Sequence, residues 1–171
     1  MIKTLVLGGM RAGKSAMAQH LAEQRSESVI YLATATPGDA EMAQRIARHQ
    51  QDRPSHWRLI EEPIELAKRL KANDQAGQVI LVDCLTLWLT NLLMLADDNT
   101  LAAQQQALLD TVSTLEGELI LVSNEINMGV VPMDALSRRF CDEAGRLHQA
   151  LAQQCDEVML MVAGLPIKAK G

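Results

Sequence analysis

Short runs of apolar residues alternate along the chain with longer segments in which apolar residues recur at helical spacing. Strands covered on both faces of a parallel sheet are almost entirely apolar, and their crossovers are usually helices. The apolar runs predict strands at Ile2–Leu7, Val29–Thr34, Val79–Asp83, Leu119–Ser123 and Val158–Val162. The periodic segments predict helices at Lys14–Arg25, Asp39–Gln51, Ile64–Lys71, Leu85–Ala96, Leu101–Glu116 and Met133–Gln154. This order is typical of an α/β fold, a doubly wound layer sandwich around a mostly parallel sheet.

The last predicted helix carries an apolar stripe, and we expect that stripe to face the core. Its members are Leu136, Phe140, Ala144, Leu147 and Leu151. The whole chain has 171 residues, about the size of one domain, and no repeat, linker or low-complexity tract divides it. We therefore expect a single domain over residues 1–171.

The amino-acid composition indicates which class of molecule the protein binds. Only four residues are aromatic, two Trp, one Tyr and one Phe, so few rings could stack on bases. The net charge of -5 repels a polyanion, and no run of Lys or Arg overrides it locally. These features argue against nucleic acid and favour a small-molecule substrate.

Cysteine spacing and the apolar runs indicate the compartment. Cys84, Cys141 and Cys155 are widely spaced and form no CxxC pair, which argues against a disulfide framework or a zinc knuckle. We expect all three to be small buried hydrophobes in a reducing compartment. The apolar run in "MIKTLVLGG" is too short for a signal peptide, and no later run could span a membrane. The prediction is a cytoplasmic protein without a membrane span.

A glycine-rich segment, "GGMRAGKS", follows the first predicted strand and opens the first predicted helix. It fits the pattern GxxxxGK[ST] from Gly8 through Gly13, Lys14 and Ser15, which is typical of a phosphate-binding loop. Glycine lets successive N–H groups turn around phosphate oxygens at a helix N-terminus. Lys14 would supply positive charge to the β- and γ-phosphates, and the Ser15 hydroxyl would bind Mg²⁺. The sequence therefore predicts a nucleoside triphosphate site.

Two further features bear on that site. Asp83 ends the strand "VILVD" and could bind Mg²⁺ with Ser15, although an aspartate just before a helix could equally be its N-cap. We favour the metal role because the phosphate loop is present. The NKxD box of signalling GTPases is absent, since the candidate strand end reads "LVSNEINMG", and this argues against a non-catalytic switch.

His49 lies in an unusually basic stretch, "RIARHQQDRPSHW". It follows Met42 and Ile46 at helical spacing, which favours a half-buried, hydrogen-bonded histidine. A metal role is disfavoured because His56 is seven residues away beyond a proline, with no Cys or second carboxylate at ligand spacing. A neutral imidazole can also attack phosphorus, so a nucleophilic role is chemically reasonable. These residues alone leave the structural and the nucleophilic interpretations open.

Seven segments together resemble one enzyme family. "GGMRAGKS", "YLATA", "RIARHQQDRPSHW", "EEP", "VDCLTLWLTNLL", "SNEINMGVVP" and "AGRLHQ" occur in the order found in the bifunctional adenosylcobinamide kinase/adenosylcobinamide-phosphate guanylyltransferases of cobalamin biosynthesis. The resemblance implies a RecA-like P-loop fold, a three-layer sandwich that assembles as a homotrimer. It also implies transfer of the γ-phosphate of ATP or GTP to adenosylcobinamide, and then of GMP from GTP to adenosylcobinamide phosphate. The product would be adenosylcobinamide-GDP.

The same resemblance assigns residues to roles. His49 is the residue that becomes guanylylated, and Lys14 is the second catalytic residue. Nucleotide contacts fall on Gly8, Gly9, Met10, Arg11, Ala12, Gly13, Lys14, Ser15, Thr34, Ala35, Thr36, Gln50, Gln51, Asp52, Arg53, Glu61 and Asp83. Ser15 and Asp83 are the expected Mg²⁺ ligands.

This chain departs from the family pattern at three positions. It has Asn127 where the family usually has Gly, Cys141 where it usually has Arg, and His148 where it usually has Asn. Asn tolerates positive φ better than other non-glycine residues, so the turn at Asn127 is expected to form. Two other functions fit the residues: a P-loop kinase of another small alcohol with a structural His49, and a non-catalytic nucleotide-binding regulator.

Overall fold

A computed structural model describes residues 1–35 and 54–171 of the chain. The described strands are β1 (Lys3–Gly8), β2 (Val29–Ala33), β3 (Arg58–Glu61), β4 (Val79–Asp83), β5 (Glu118–Asn124), β6 (Glu157–Val162) and β7 (Leu165–Lys170). The described helices are α1 (Lys14–Arg25), α2 (Leu66–Ala72), α3 (Leu85–Met94), α4 (Asp98–Thr114) and α5 (Ala135–Gln154). Of these helices only α5, with 20 residues, is as long as a membrane span, and it lacks the sustained hydropathy of one.

The strands form one sheet in the order β3-β2-β4-β5-β1-β6-β7, parallel throughout except for the antiparallel β7. Its register brings the carboxyl ends of the strands together at one edge. Ala33 pairs with both Glu61 and Asp83, and Gly8 lies between Asn124 and Met161. In open α/β sheets, ligands bind outside this edge.

Each face of the sheet packs into its own apolar cluster. Leu5 belongs to the cluster that includes Trp88 of α3 and Leu147 of α5, whereas its neighbour Val6 belongs to the cluster that includes Ala18 of α1. This alternation is expected because successive side chains of a strand point to opposite faces. The predicted three-layer α/β sandwich with a mostly parallel sheet is confirmed.

Five strands lie where the apolar runs predicted them, but β3 and β7 were missed. Both are at edges of the sheet, and all six residues of β7 are exposed. An edge strand with little burial shows no apolar run, and β7 also contains Pro166, which an edge tolerates. A two-residue turn joins β6 to β7, with positive φ at both Ala163 (52°) and Gly164 (82°) as in a type I′ hairpin.

The five helix predictions that fall on described residues were right in position and less accurate at their ends. The predicted start of α4 at Leu101 is wrong, because Asp97 caps the helix by accepting a hydrogen bond from the Asn99 amide. The core role predicted for Leu136 is also wrong, since it is 58% exposed and the core-facing stripe of α5 begins at Phe140. The helix predicted at Asp39–Gln51 lies outside the described residues.

Two of the three cysteines match the prediction of small buried hydrophobes. Cys84 and Cys155 are buried, and burial raises the pKa of each thiol to about 11. Cys141 is only half-buried on α5, so the prediction was wrong for that residue. No disulfide joins these three free cysteines, as their spacing indicated.

Candidate nucleotide site

The loop from Gly8 to Ser15 connects β1 to α1 and lies tightly against the β6–β7 hairpin. A side chain at Gly8 would place its Cβ 2.7 Å from the carbonyl oxygen of Met161. Gly13 has a φ of +94°, and a Cβ there would lie 3.2 Å from Cα of Gly164. Two of the three glycines in the motif are therefore required by close backbone approach, and both also have a positive φ that other residues rarely adopt, +155° at Gly8 and +94° at Gly13.

Backbone hydrogen bonds fix the direction of the amides in this loop. The Ala12 amide donates to the Gly9 carbonyl over 3.2 Å, and the Gly164 amide donates to the Ala12 carbonyl over 3.0 Å. Because a trans peptide is planar, with its C=O and N–H pointing in opposite directions, the Gly13 N–H points away from the hairpin. Gly13 is also the N-cap of α1 and has no side chain with which to cap the helix. The first-turn amides of α1 are thus available to an anion.

Lys14 holds its charge beside the loop. Its Nζ donates a 2.7 Å hydrogen bond to the Gly9 carbonyl, and the residue is only 8% exposed. Burial lowers the pKa of Lys14 below its ordinary value, while the nearby Cys84 thiol and Asp83 carboxylate act in the opposite direction. A partly desolvated ammonium in this position interacts more strongly with a phosphate than an exposed one would.

Asp83 does not cap the helix that follows it, and its carboxylate is hydrogen-bonded to two hydroxyl groups. Its Oδ2 accepts hydrogen bonds from the Ser15 hydroxyl (2.9 Å) and the Tyr31 hydroxyl (2.8 Å). The N-cap of α3 is Cys84, which makes no side-chain cap hydrogen bond. The N-cap interpretation of Asp83 is therefore wrong, and the carboxylate lies next to the Ser15 hydroxyl at the carboxyl edge of the sheet.

Thr34 and Ala35 follow β2 at the same edge. The Thr34 hydroxyl is fully buried: it donates to the Cys84 carbonyl over 2.7 Å and accepts from the Cys84 amide over 3.0 Å. The Asn91 side-chain amide donates to the Thr34 carbonyl over 2.8 Å. Thr34 thus joins the ends of β2 and β4, while Ala35 beside it is half-buried. Their nucleotide contacts stay predictions.

Two adjacent glutamates end β3 in different environments. Glu61, the predicted contact, is exposed and lies in register with Ala33. Glu62 is 8% exposed and accepts from the amides of Ile64 and Glu65 and from Arg69. Burial alone would raise the pKa of Glu62, but these hydrogen bonds and the Arg69 charge bring it below its ordinary value. Glu62 therefore holds the turn into α2, which leaves Glu61 as the glutamate facing solvent.

The remaining predicted residues lie outside the described part of the chain. They are Thr36, His49, Gln50, Gln51, Asp52 and Arg53. Their roles as nucleophile and nucleotide contacts stay predictions. Within residues 1–35 and 54–171, no group of three or more His, Cys, Asp or Glu side chains could hold a metal ion.

A buried hydrogen bond between β5 and α5, next to the strand that leads into the phosphate loop, was not predicted from the sequence. The Ser123 hydroxyl and Nε2 of His148 are hydrogen-bonded at 2.7 Å. Nδ1 of His148 has no hydrogen bond among the described residues and lies 4.0 Å from Oε2 of Glu125. Burial lowers the pKa of His148, and the Glu125 carboxylate opposes this shift. The Glu125 amide in turn donates to the Gly8 carbonyl over 2.9 Å, so Glu125 links this cluster to the first residue of the phosphate loop.

The other two departures from the family pattern meet on the surface. The Asn127 side-chain amide donates to the Cys141 carbonyl over 3.2 Å. Among the described non-glycine residues only Arg11, Ala96 and Ala163 have positive φ, so Asn127 does not use the left-handed conformation that a glycine would allow.

Comparisons with known proteins identify the family of this chain. A family model described as cobinamide kinase/cobinamide phosphate guanyltransferase matches residues 4–169. The bifunctional adenosylcobalamin biosynthesis protein CobP of Pseudomonas aeruginosa is 52% identical over 170 residues, covering 99% of this chain and 98% of the relative. The corresponding CobU protein of Escherichia coli is 38% identical, covering 97% and 98% respectively. The solved structure of the RadB recombinase has a TM-score of 0.55 at 15% identity over 93% of this chain and 73% of that chain, a likeness of fold alone.

Proposed function

Because this chain belongs to the cobinamide kinase/cobinamide phosphate guanyltransferase family, we propose that its loop from Gly8 to Ser15 forms the single nucleotide site for two reactions. The chain is a bifunctional kinase and guanylyltransferase of adenosylcobalamin biosynthesis. Family membership sets aside the kinase of an unrelated alcohol and the non-catalytic regulator. The observation that carries the proposal is the meeting of Lys14, Ser15 and Asp83 around one helix N-terminus.

In the kinase step, the aminopropanol hydroxyl of adenosylcobinamide attacks the γ-phosphorus of ATP or GTP. The bond between the γ-phosphorus and the bridging oxygen breaks, and the nucleoside diphosphate leaves. Lys14 and the loop amides bind the β- and γ-phosphate oxygens on which negative charge accumulates. The loop therefore stabilises the transition state more strongly than the bound substrate.

In the guanylyl step, we propose that a neutral His49 attacks the α-phosphorus of GTP and pyrophosphate leaves. The resulting bond between the histidine nitrogen and phosphorus then breaks when a phosphate oxygen of adenosylcobinamide phosphate attacks the same phosphorus. Adenosylcobinamide-GDP is released and the imidazole is restored. The departing pyrophosphate consists of the β- and γ-phosphates, which the loop already binds. Its negative charge therefore develops on the same groups as in the kinase step, so one loop can serve both reactions.

Mg²⁺ fits the donors that the structure brings together. Ser15 and Asp83 supply one hydroxyl and one carboxylate oxygen, bonded at 2.9 Å. Mg²⁺ prefers oxygen ligands and is usually bound by one or two protein groups together with substrate phosphates. When bound it would neutralise phosphate charge, while Asp83 and Ser15 hold its position. Contacts from Thr34 to Thr36, Gln50 to Arg53 and Glu61 would complete the nucleotide site.

We further propose that the protein acts in the cytoplasm as a homotrimer, with residues 1–171 forming one catalytic domain. The support is the resemblance of its motifs to the family and a match that extends over residues 4–169. Sedimentation velocity of the purified protein, with and without GTP, tests the assembly. A monomer at all concentrations would contradict it.

The decisive experiment measures whether label from GTP becomes covalently attached to the protein. α-Labelled GTP should leave label on the denatured protein, and γ-labelled GTP should not, since pyrophosphate departs. A phosphoramidate should lose its label in mild acid and keep it in base. His49→Asn should abolish labelling while GTP binding and at least part of the kinase activity remain, and His56→Asn is the matched control. Full labelling of His49→Asn would show that another residue is the nucleophile.

A further inference from the structure

A groove lies between the segment 126–132, which follows β5, and the outer face of α5. We call it the α5 groove. Its volume is about 410 Å³, and its lining includes Ile126, Val130 and Val131 on the segment and Asp142, Arg146 and Gln149 on the helix. None of these residues belongs to the nucleotide site described above.

The chain itself holds this groove open at both ends. At one end, the Asn127 side chain donates to the Cys141 carbonyl over 3.2 Å and occupies the space beside Gly145, where a Cβ would lie 2.9 Å from its Nδ2. At the other end, the Arg138 guanidinium donates to the carbonyls of Pro132 and Met133. The segment is therefore tethered to α5 at two points, with a hollow between them.

The two walls differ in chemistry. Val130 and Val131 are 95% and 72% exposed and are adjacent in the chain, and contiguous exposed apolar surface is typical of a binding groove. The helix wall presents exposed Asp142, Arg146 and Gln149, which together can donate to and accept from amides. A corrin ring has apolar faces and a rim of amide side chains. An edge of such a ring would match an apolar wall on one side and a polar wall on the other.

The position of the groove suits a substrate that must reach the nucleotide. Asn124 lies beside Gly8 in the sheet, and the Glu125 amide donates to the Gly8 carbonyl over 2.9 Å. The segment 126–132 begins at the next residue. We propose that the α5 groove seats one edge of the corrin ring of cobinamide, so that the aminopropanol arm extends to the phosphate loop. This inference rests on the proposed function, since it assigns the second substrate of that site.

Three variants test the groove: Gln149→Ala, Arg146→Gln and Val131→Asp. Gln153→Ala is the matched control, because it removes the same exposed side chain one turn further along α5 and outside the groove. The readouts are the KM for cobinamide in the kinase reaction, the binding of cobinamide measured by equilibrium dialysis, and labelling of the protein by α-labelled GTP. Labelling needs no corrinoid, so it reports the nucleotide site separately.

We expect the KM and Kd for cobinamide to rise about two- to tenfold in Gln149→Ala and Arg146→Gln, because each loses hydrogen bonds to the ring. A rise of at least about tenfold is expected in Val131→Asp, which places a charge against an apolar ring face. GTP labelling and the Gln153→Ala control should match wild type. An unchanged affinity for cobinamide in all three variants, with labelling intact, would overturn the groove assignment alone.

A second copy of the chain is the competing occupant. If Val131→Asp alters the sedimentation coefficient while Gln149→Ala and Arg146→Gln keep the wild-type KM, the groove is a subunit interface and the proposal is wrong. If wild type itself takes no label from GTP, the failure lies with the guanylyl step of the proposed function. In that case, cobinamide binding measured by dialysis would still test whether the α5 groove binds the corrin ring.

Discussion

The hydroxyl of Ser15 donates a 2.9 Å hydrogen bond to Oδ2 of Asp83, across 68 positions of the chain. Ser15 lies in the first turn of α1, and Asp83 is the last residue of β4. Their contact brings a hydroxyl and a carboxylate together at the helix N-terminus that ends the phosphate loop. The proposed metal site depends on this pair.

Asp83→Asn should weaken Mg²⁺-dependent turnover at least about tenfold, because the amide keeps the size of the side chain and removes its charge. The measurement is the rate of the kinase reaction as Mg²⁺ is titrated at saturating nucleotide. Asp110→Asn, at an exposed position of α4, is the control. An unchanged Mg²⁺ dependence would remove Asp83 from the metal site.

Tyr31→Phe tests whether the second hydrogen bond on Asp83 orients the carboxylate. The Tyr31 hydroxyl donates to the same Oδ2 over 2.8 Å, and the residue is 4% exposed. Loss of a partner that orients a metal ligand commonly lowers metal affinity by about ten- to a hundredfold. We expect Mn²⁺ in the presence of GTP to bind about tenfold more weakly, as measured by electron paramagnetic resonance. Equal affinity in both proteins would limit Tyr31 to packing.

Lys14→Met should lower both activities by about a hundredfold or more, because both transition states place charge on phosphates that Lys14 binds. The methionine keeps most of the buried stem and removes the charge, so folding should persist. Lys71→Met, an exposed residue at the end of α2, is the control. If one activity stays within a few-fold of wild type, the two reactions do not share the site.

The sequence predicted the phosphate loop, the helix after it and Asp83 because each depends on local pattern. Gly8, Gly13, Lys14 and Ser15 are contiguous or nearly so, and strand, loop and helix follow in order. Tyr31 could not be assigned in this way. Its contact with Asp83 requires the parallel register that pairs Ala33 with Asp83, which places Tyr31 two residues back on the same face.

The missed elements follow the same reasoning. The edge strands β3 and β7 are too exposed to show an apolar run, so their residues do not alternate between buried apolar and exposed polar positions. His148 did leave a signal, because it is a polar residue in the stripe formed by Ala144, Leu147 and Leu151. Its partner Ser123 lies on β5 and is within an apolar run, so only the packing of α5 on the sheet identifies the pair.

The His148 pair leads to a prediction about pH. Burial lowers the pKa of His148 in the folded protein, while in the unfolded chain it titrates near about 6.5. Between these two values the unfolded chain binds more protons than the folded one, so the free energy of unfolding falls as the pH falls below about 6.5. The slope from one such group approaches about 1.4 kcal/mol per pH unit. Above pH 6.5 both states hold a neutral imidazole, and this contribution is constant.

His148→Asn should remove that slope, because an amide does not titrate, although it costs stability at neutral pH through lost packing. Urea unfolding of both proteins between about pH 5 and 8 measures the difference. His20→Asn, at an exposed position of α1, is the control and should keep the wild-type slope. The Glu125 carboxylate opposes the lowering of the pKa of His148, so Glu125→Gln should lower that pKa further. The loss of stability with falling pH should then continue to a lower pH than in wild type. If His148→Asn and wild type lose stability in parallel below pH 6.5, the acid sensitivity arises from other groups and His148 is protonated in the folded protein at its ordinary pKa.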